Sequence, residues 1–320
     1  MEKQREDSEE KSFTHSIMFH HFHSDKHHPA QGSLGAANFE DMLDWLSDRY
    51  NHINADQYLQ KFEENKLGEG DICLSFDDGL LCQFDVAAPI LRSRNIKAFF
   101  FVYSSVFTAD PDFLEIFRYF RTVCFENIDD FYELFFEIVE SENRALYVSE
   151  YNKFQGLDYL AAFPFYSDKD KWFRYLRDQV LGVKKYSSLM LEMMRQESFD
   201  KEAASRLLWM TEDNLKELHT DGHLIGLHSF SHPLQMSKLS RAEQEKQYSQ
   251  NLEHLESVIG TGSIYSMSHP CGDYNDDTLD LLTKMNIRIG FRSSLTCKDI
   301  KSGLEIPRDD HANVFKDMTK

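Results

Sequence analysis

The run Ile72-Cys73-Leu74-Ser75-Phe76-Asp77-Asp78-Gly79 constrains this chain most. Its apolar part reads as a buried strand, and it ends directly on two adjacent carboxylates. Burying such a pair is costly unless a cation or a proton lies between them. Gly79 permits a sharp turn just beyond. Read alone, Asp-Asp-Gly after a strand is equally an ordinary turn. It gains meaning in a barrel of parallel strands, where the strand C-termini gather side chains into one mouth.

The rest of the chain supplies such strands. Ser16–Phe19, Lys97–Val102, His223–Leu227, Ile264–Ser268 and Ile287–Phe291 are further short apolar runs. Glu305–Arg308 makes a seventh strand in all, with Pro307 placing it at an edge or a strand end. Helical patterns lie between them. Asn38 caps a helix carrying Met42, Leu43 and Leu46; another covers Phe84–Arg94, and a third Thr278–Met285. Ser240-Arg241-Ala242-Glu243 is a capping box whose helix stops at Gly260. This alternation predicts an α/β fold built on a mainly parallel sheet or barrel.

The alternation stops between about 105 and 208. Phe113, Phe117, Phe120, Phe131, Leu134, Phe135 and Ile138 recur there at helical spacing. The plain expectation is a helical insertion with its own aromatic core; the sharper one is a lid whose exposed rings stack on sugars. Residues 1–12 read as a solvated tail, Glu6–Glu10 included, and 13–320 as the interrupted barrel.

Charge excludes one class of partner. With 35 Lys+Arg against 54 Asp+Glu the formal charge is −19, which argues against nucleic acid, since phosphate contacts need clustered cations. Cys73, Cys82, Cys124, Cys271 and Cys297 are odd in number, scattered and free of C-x-x-C spacing, so neither a disulfide framework nor a cysteine zinc site is expected. No apolar run approaches the roughly 18 residues of a membrane span, and Met1–Lys11 has no apolar core of a signal peptide. The expectation is a cytoplasmic, reduced protein without membrane insertion. Nothing in the sequence sets its oligomeric state.

Two more polar clusters follow strands. His228-Ser229-Phe230-Ser231-His232-Pro233 offers two imidazoles four residues apart. With the Asp pair they make a His, His, Asp set with a carboxylate to spare, and three protein ligands with an open position mark a catalytic metal. Ser268-His269-Pro270-Cys271-Gly272-Asp273-Tyr274-Asn275 forms a loop whose backbone N–H groups are placed to hold an oxyanion, though a plain turn explains it too.

These three clusters, in this order, resemble those of the polysaccharide deacetylase family, carbohydrate esterase family four. Phe19-His20 is similar to the aromatic-His pair that often ends the first strand of such proteins. The resemblance covers about two thirds of the chain and skips the insertion. It implies a distorted barrel of about seven strands, with Asp78, His228 and His232 holding a divalent metal, most often zinc. Asp77 would be the general base that activates the attacking water, and the Cys271 N–H would help hold the oxyanion. Ser268 stands where the family often has an arginine beside the base; Arg308 or Arg292 would replace it. The family's late histidine, the acid for the leaving amine, has His311 as its nearest candidate and His269 as the second.

The implied activity is removal of an N-acyl group, acetyl first, from an amino sugar of a glycan or glycan precursor. Rival readings are a deformylase or deacetylase of a lipid- or nucleotide-linked sugar, an inactive saccharide-binding barrel, and a metal-free relative acting on a cyclic amide or ureide. His20, His21, His23, His27 and His28 tempt one to a second metal site; the simpler expectation is His20 at the barrel mouth and the others on a polar loop. His52, His219 and His254 are expected at surfaces or helix boundaries, and Cys271 to act through its backbone rather than as a nucleophile.

Overall fold

The computed structural model describes residues 15–108, 113–160, 166–295 and 301–319. The expected 1–12 tail and Cys297 lie outside the described residues. The chain divides into two compact units, one from Met1–Asp112 with Leu207–Lys320 and one from Phe113–Arg206.

The first unit is built on β1 (His15–Phe19), β2 (Asn51–His52), β3 (Asp71–Phe76), β4 (Phe99–Val102), β5 (Leu224–Leu227), β6 (Ser266–Ser268), β7 (Ile289–Phe291) and β8 (Arg308–Asp310). Seven of these follow the order β7-β6-β5-β4-β3-β1-β8, all parallel, with β2 pairing beside β3. Every residue of β3 is buried, as expected where a parallel strand is covered on both faces.

The two edges of this sheet meet. Ile306 donates to the Gly290 carbonyl and accepts from the Arg292 N–H, while Pro307 O accepts from Ser16 N–H. The segment before β8 thus bonds to β7 on one side and β1 on the other, and the seven strands form a nearly closed barrel. The expected seventh strand, Glu305–Arg308, falls partly in this seam; regular pairing begins at Arg308, because Pro307 has no N–H to give. β2 has only two residues, too few to leave a periodic trace.

Side chains alternate across β4. Phe99 and Phe101 pack with Cys73, Ile289 and Phe291 in one cluster, while Phe100 stacks on Phe76 at 4.7 Å. Gly226 of β5 is required by this packing, since a Cβ there would lie 2.6 Å from Ser266 Oγ and 2.7 Å from the Phe101 ring. Registers keep the strand ends level: Phe19 pairs with Phe76, Leu227 with Met267 and Met18 with Asp310. The residues that follow these strands therefore emerge at one end of the barrel.

The second unit is helical. Its helices include Leu114–Val123, Ile128–Glu142, Arg144–Gln155, Asp168–Tyr175 and Gly182–Gln196. Phe117, Phe120, Phe131 and Phe135 are buried within it, with Phe135 edge-on to Phe173 at 5.0 Å and Phe117 edge-on to Tyr186 at 5.5 Å. These rings form a core, so the lid expectation does not hold for them. Among the described residues, no helix is long and apolar enough to cross a membrane.

Candidate metal centre

β3 delivers Asp77 and Asp78 to the barrel mouth. The ladder runs one residue past the strand through Asp77 N–H to Phe19 O, 3.1 Å, and Gln83 Nε2 ties down the carbonyls of both His20 and Asp77, at 2.9 and 2.6 Å. Asp78 then takes a left-handed φ of 76° and Gly79 one of 62°. At Gly79 a Cβ would also press on Val102 Cγ1 at 3.0 Å, so glycine is needed twice over.

The second loop is held by the helix Arg241–Ile259, which opens with the expected capping box. Asn251 Oδ1 accepts from the His228 N–H at 2.9 Å, and its Nδ2 donates to Val102 O and Ser104 Oγ. Gln247 Oε1 accepts from the N–H groups of Phe230 and Ser231, at 3.1 and 2.9 Å. Gln247 and Asn251 are four apart, on one helix face. Within the loop Ser229 and His232 have φ of 67° and 50°, and Ser229 Oγ accepts from His232 N–H. Three ordinary residues of the two loops, Asp78, Ser229 and His232, thus hold conformations that cost of order 1–3 kcal/mol each, strain of the kind found at functional sites.

The result is a compact, buried ligand set. His228 Nε2 and His232 Nε2 lie 3.3 and 3.4 Å from the same oxygen, Asp78 Oδ1. That oxygen is buried with no hydrogen bond of normal geometry. Ligands about 2.0–2.1 Å from a tetrahedral ion sit roughly 3.3 Å apart, so the spacing fits a shared cation. His228 Nδ1 is 2.9 Å from Ser268 O, which places its proton there and turns the Nε2 lone pair toward Asp78. Burial pushes the Asp78 pKa up, but His228, His232 and His20 outweigh it and hold the carboxyl far below its usual range. The residues present fit a divalent metal.

Asp77 is engaged differently. Burial opposes its charge, yet Arg308 dominates and keeps it ionised, below the ordinary carboxylate range. Arg308 Nη1 and Nη2 reach Asp77 Oδ1 and Oδ2 at 2.7 Å each, a bidentate pair. Nη2 also donates to Ser268 Oγ, whose own O–H reaches Asp77 Oδ2 at 3.1 Å, and Nε donates to Arg292 O at 2.8 Å. Of the two arginines offered by the sequence, Arg308 meets Asp77 and Arg292 supplies a carbonyl. Ser268 does not leave a gap; its hydroxyl bridges the pair. Asp77 Oδ2 is 4.0 Å from His228 Nε2, so the carboxylate lies beside the ligand set.

The histidine candidates separate. His269 is fully buried, donates from Nε2 to Leu304 O at 2.9 Å and stacks on Tyr274, and burial holds its pKa at about 3. With so low a pKa its imidazolium form is scarce near neutral pH, which weighs against it as the acid. His311 is buried with Nε2 2.7 Å from Gly32 O and its ring stacked on Phe19, and burial lowers its pKa. Its Nε2 is committed to a carbonyl, which weighs against it as the acid as well. His20 is the residue undervalued by sequence reasoning. It follows β1, is half-buried, its ring nitrogens have no hydrogen-bond partner among the described residues, and it is among the neighbours that lower the pKa of both Asp77 and Asp78. Its signal was the aromatic-His step at the strand end. On the polar loop beyond it, His23 meets Ser33 at 2.9 Å and His27 pairs with Asp85 at 2.8 Å. Cys271 is exposed, with φ of 53°, in the short turn Pro270–Gly272.

Comparison with known proteins finds one family match and several similar folds. The polysaccharide deacetylase family model matches residues 190–290, which hold the second and third clusters. In fold the chain is similar to the Streptococcus pyogenes deacetylase PplD, solved in complex with acetate: 14% identity, TM-score 0.53, 93% of this chain and 91% of that one. It is similar to IcaB from Ammonifex degensii, at 12% identity and TM-score 0.53 over 93% of this chain and 91% of that one. A third is the BpsB deacetylase domain from Bordetella bronchiseptica, at 15% identity and TM-score 0.52 over 93% and 95%. No curated protein sequence matches.

Proposed function

We infer that this chain is an amide-bond hydrolase of the polysaccharide deacetylase kind, and propose that it removes an N-acyl group, acetyl first, from an amino sugar of a glycan or glycan precursor. The observation that carries the reading is the meeting of Asp77, Asp78, His228 and His232 at one barrel mouth, with Arg308 locked on Asp77.

Asp78, His228 and His232 would hold the divalent metal, zinc first by its Asp-His-His donor set. When bound there, such an ion lowers the pKa of a water and polarises the amide carbonyl. Asp77, ionised and fixed by Arg308 and Ser268, takes the proton of the attacking water at short range. His20, whose ring nitrogens have no hydrogen-bond partner among the described residues, gives a proton to the leaving amine. The Cys271 N–H, in its left-handed turn, is the backbone donor proposed for the oxyanion. Arg308 touches no reacting atom and acts as a positioning residue.

Two further features shape the substrate and its place. A chain of formal charge −19 is a poor partner for an anionic polymer. Cys73, Cys82, Cys124 and Cys271 form no disulfide, which suits a reducing compartment. We therefore place the enzyme in the cytoplasm, acting on a saccharide precursor. Acetate and formate release from polymeric, lipid-linked and nucleotide-linked amino sugars tests the reading. Acetate from at least one class supports it; formate alone would replace acetyl by formyl, and release of neither would overturn it.

A further inference from the structure

A second set of ligand atoms lies at the same end of the barrel, at the ends of β1 and β8. His20, Asp310 and His311 each offer one ligand atom, and these lie within 4.8 Å of one another. The hydrogen bonds make this group unusual. The 2.7 Å contact between His311 Nε2 and Gly32 O requires the proton on Nε2, because two lone pairs would repel at that distance. Nδ1 is an acceptor on the neutral ring and a donor to Met18 O on the protonated one. It lies 3.3 Å from Met18 O and 3.5 Å from Asp310 Oδ1, which are acceptors as well. Asp310 Oδ1 also accepts the Ala312 N–H at 2.8 Å, and the point between these atoms takes a positive centre, either a proton on Nδ1 or a cation in its place. Beside them stands His20, half-exposed and stacked on His21 at 6.2 Å, whose ring nitrogens have no hydrogen-bond partner among the described residues.

We propose that His20, Asp310 and His311 form a second divalent-cation site, distinct from that of Asp78, His228 and His232. Two imidazoles, a carboxylate and the nearby Met18 carbonyl suit zinc, cobalt or nickel rather than calcium or magnesium. The site has a functional consequence that rests on the proton-donor role given to His20 above. A cation that engages the His20 ring removes it from proton transfer, so loading this site inhibits hydrolysis. The enzyme then needs one metal equivalent and is shut down by the next.

Equilibrium dialysis of the metal-stripped full chain against rising Zn²⁺, with metal analysis of the protein, tests the site. Wild type is expected to take up about two equivalents, the second more weakly because one ligand must move. His20→Ala removes a half-exposed side chain without hydrogen bonds, and Asp310→Ser keeps an oxygen to cap the helix His311–Met318. Each is expected to stop at about one equivalent, while His228→Ala keeps the weaker one. A single equivalent in wild type, or a second one that survives in both His20→Ala and Asp310→Ser, overturns the site.

Activity is read in the same titration. Wild type is expected to lose roughly 10²-fold in rate as the second equivalent loads, the scale of withdrawing a general acid, and Asp310→Ser to resist the same Zn²⁺. Loading without inhibition overturns the inhibitory role. A failure of the deacetylase reading itself would instead appear as no turnover at one equivalent, with both binding counts intact.

Discussion

Arg308 grips both carboxylate oxygens of Asp77 at 2.7 Å across 231 residues of sequence, with its own side chain wholly buried. The pair keeps Asp77 ionised in a site that burial alone would neutralise. Arg308→Lys retains a charge but not the fork. It is expected to lose about 10–10²-fold in kcat, and the acid limb of the pH–rate profile is expected to move up. The sign follows from the cause: weakening the cation raises the Asp77 pKa, so the base protonates at higher pH. An unmoved acid limb with lower kcat would reduce Arg308 to packing.

The same linkage reaches stability. Asp77 and Asp78 both have folded pKa values below the ordinary carboxylate value. Their contribution is therefore complete above the unfolded pKa, about 4, and is lost as pH falls through the folded values. Denaturant midpoints of metal-free protein are expected to drop more steeply below pH 4 for wild type than for Asp77→Asn. Parallel curves would deny the depressed pKa.

Asp77→Asn is expected to keep a tightly bound metal and lose roughly 10²–10⁴ in rate, the usual scale for a general base. Metal analysis and turnover on one preparation check this. Near-wild-type turnover would move the base elsewhere.

Asn251 touches no ligand atom of the site, yet it fixes the His228 backbone. Asn251→Ala leaves that buried N–H, Val102 O and Ser104 Oγ each short of a partner. Zn²⁺ affinity is expected to fall about 10–10²-fold, as when supporting contacts to ligands are lost. Competition with a chromogenic chelator measures it, and unchanged affinity would show that the loop holds itself.

How much of this was legible in the sequence follows from range. Asp77, Asp78 and His228 sit within two residues of their strands and His232 five residues past its own, in one short loop, so local pattern named them. The choice of Arg308 over Arg292 depends on how β8 closes onto β1 and was left open. Gln247 and Asn251 gave no signal, because polar residues on a helix read as a solvated face whether they meet water or a loop. The surroundings of the two acid candidates were hidden for a related reason. His269 and His311 follow strands in the right place, but burial and the carbonyls of Leu304 and Gly32 decide their protonation, and neither is visible in one dimension. Strand starts also shifted, since β8 pairs only after Pro307.

The central claim, metal-dependent hydrolysis of an N-acyl amino sugar, is tested most directly by acyl release from N-acetylated amino-sugar oligomers and precursors, measured on metal-stripped protein and on the same protein restored with one equivalent of Zn²⁺. The account predicts acetate from the restored enzyme and none from the stripped one. Equal release from both, or release from neither with any substrate, would contradict it.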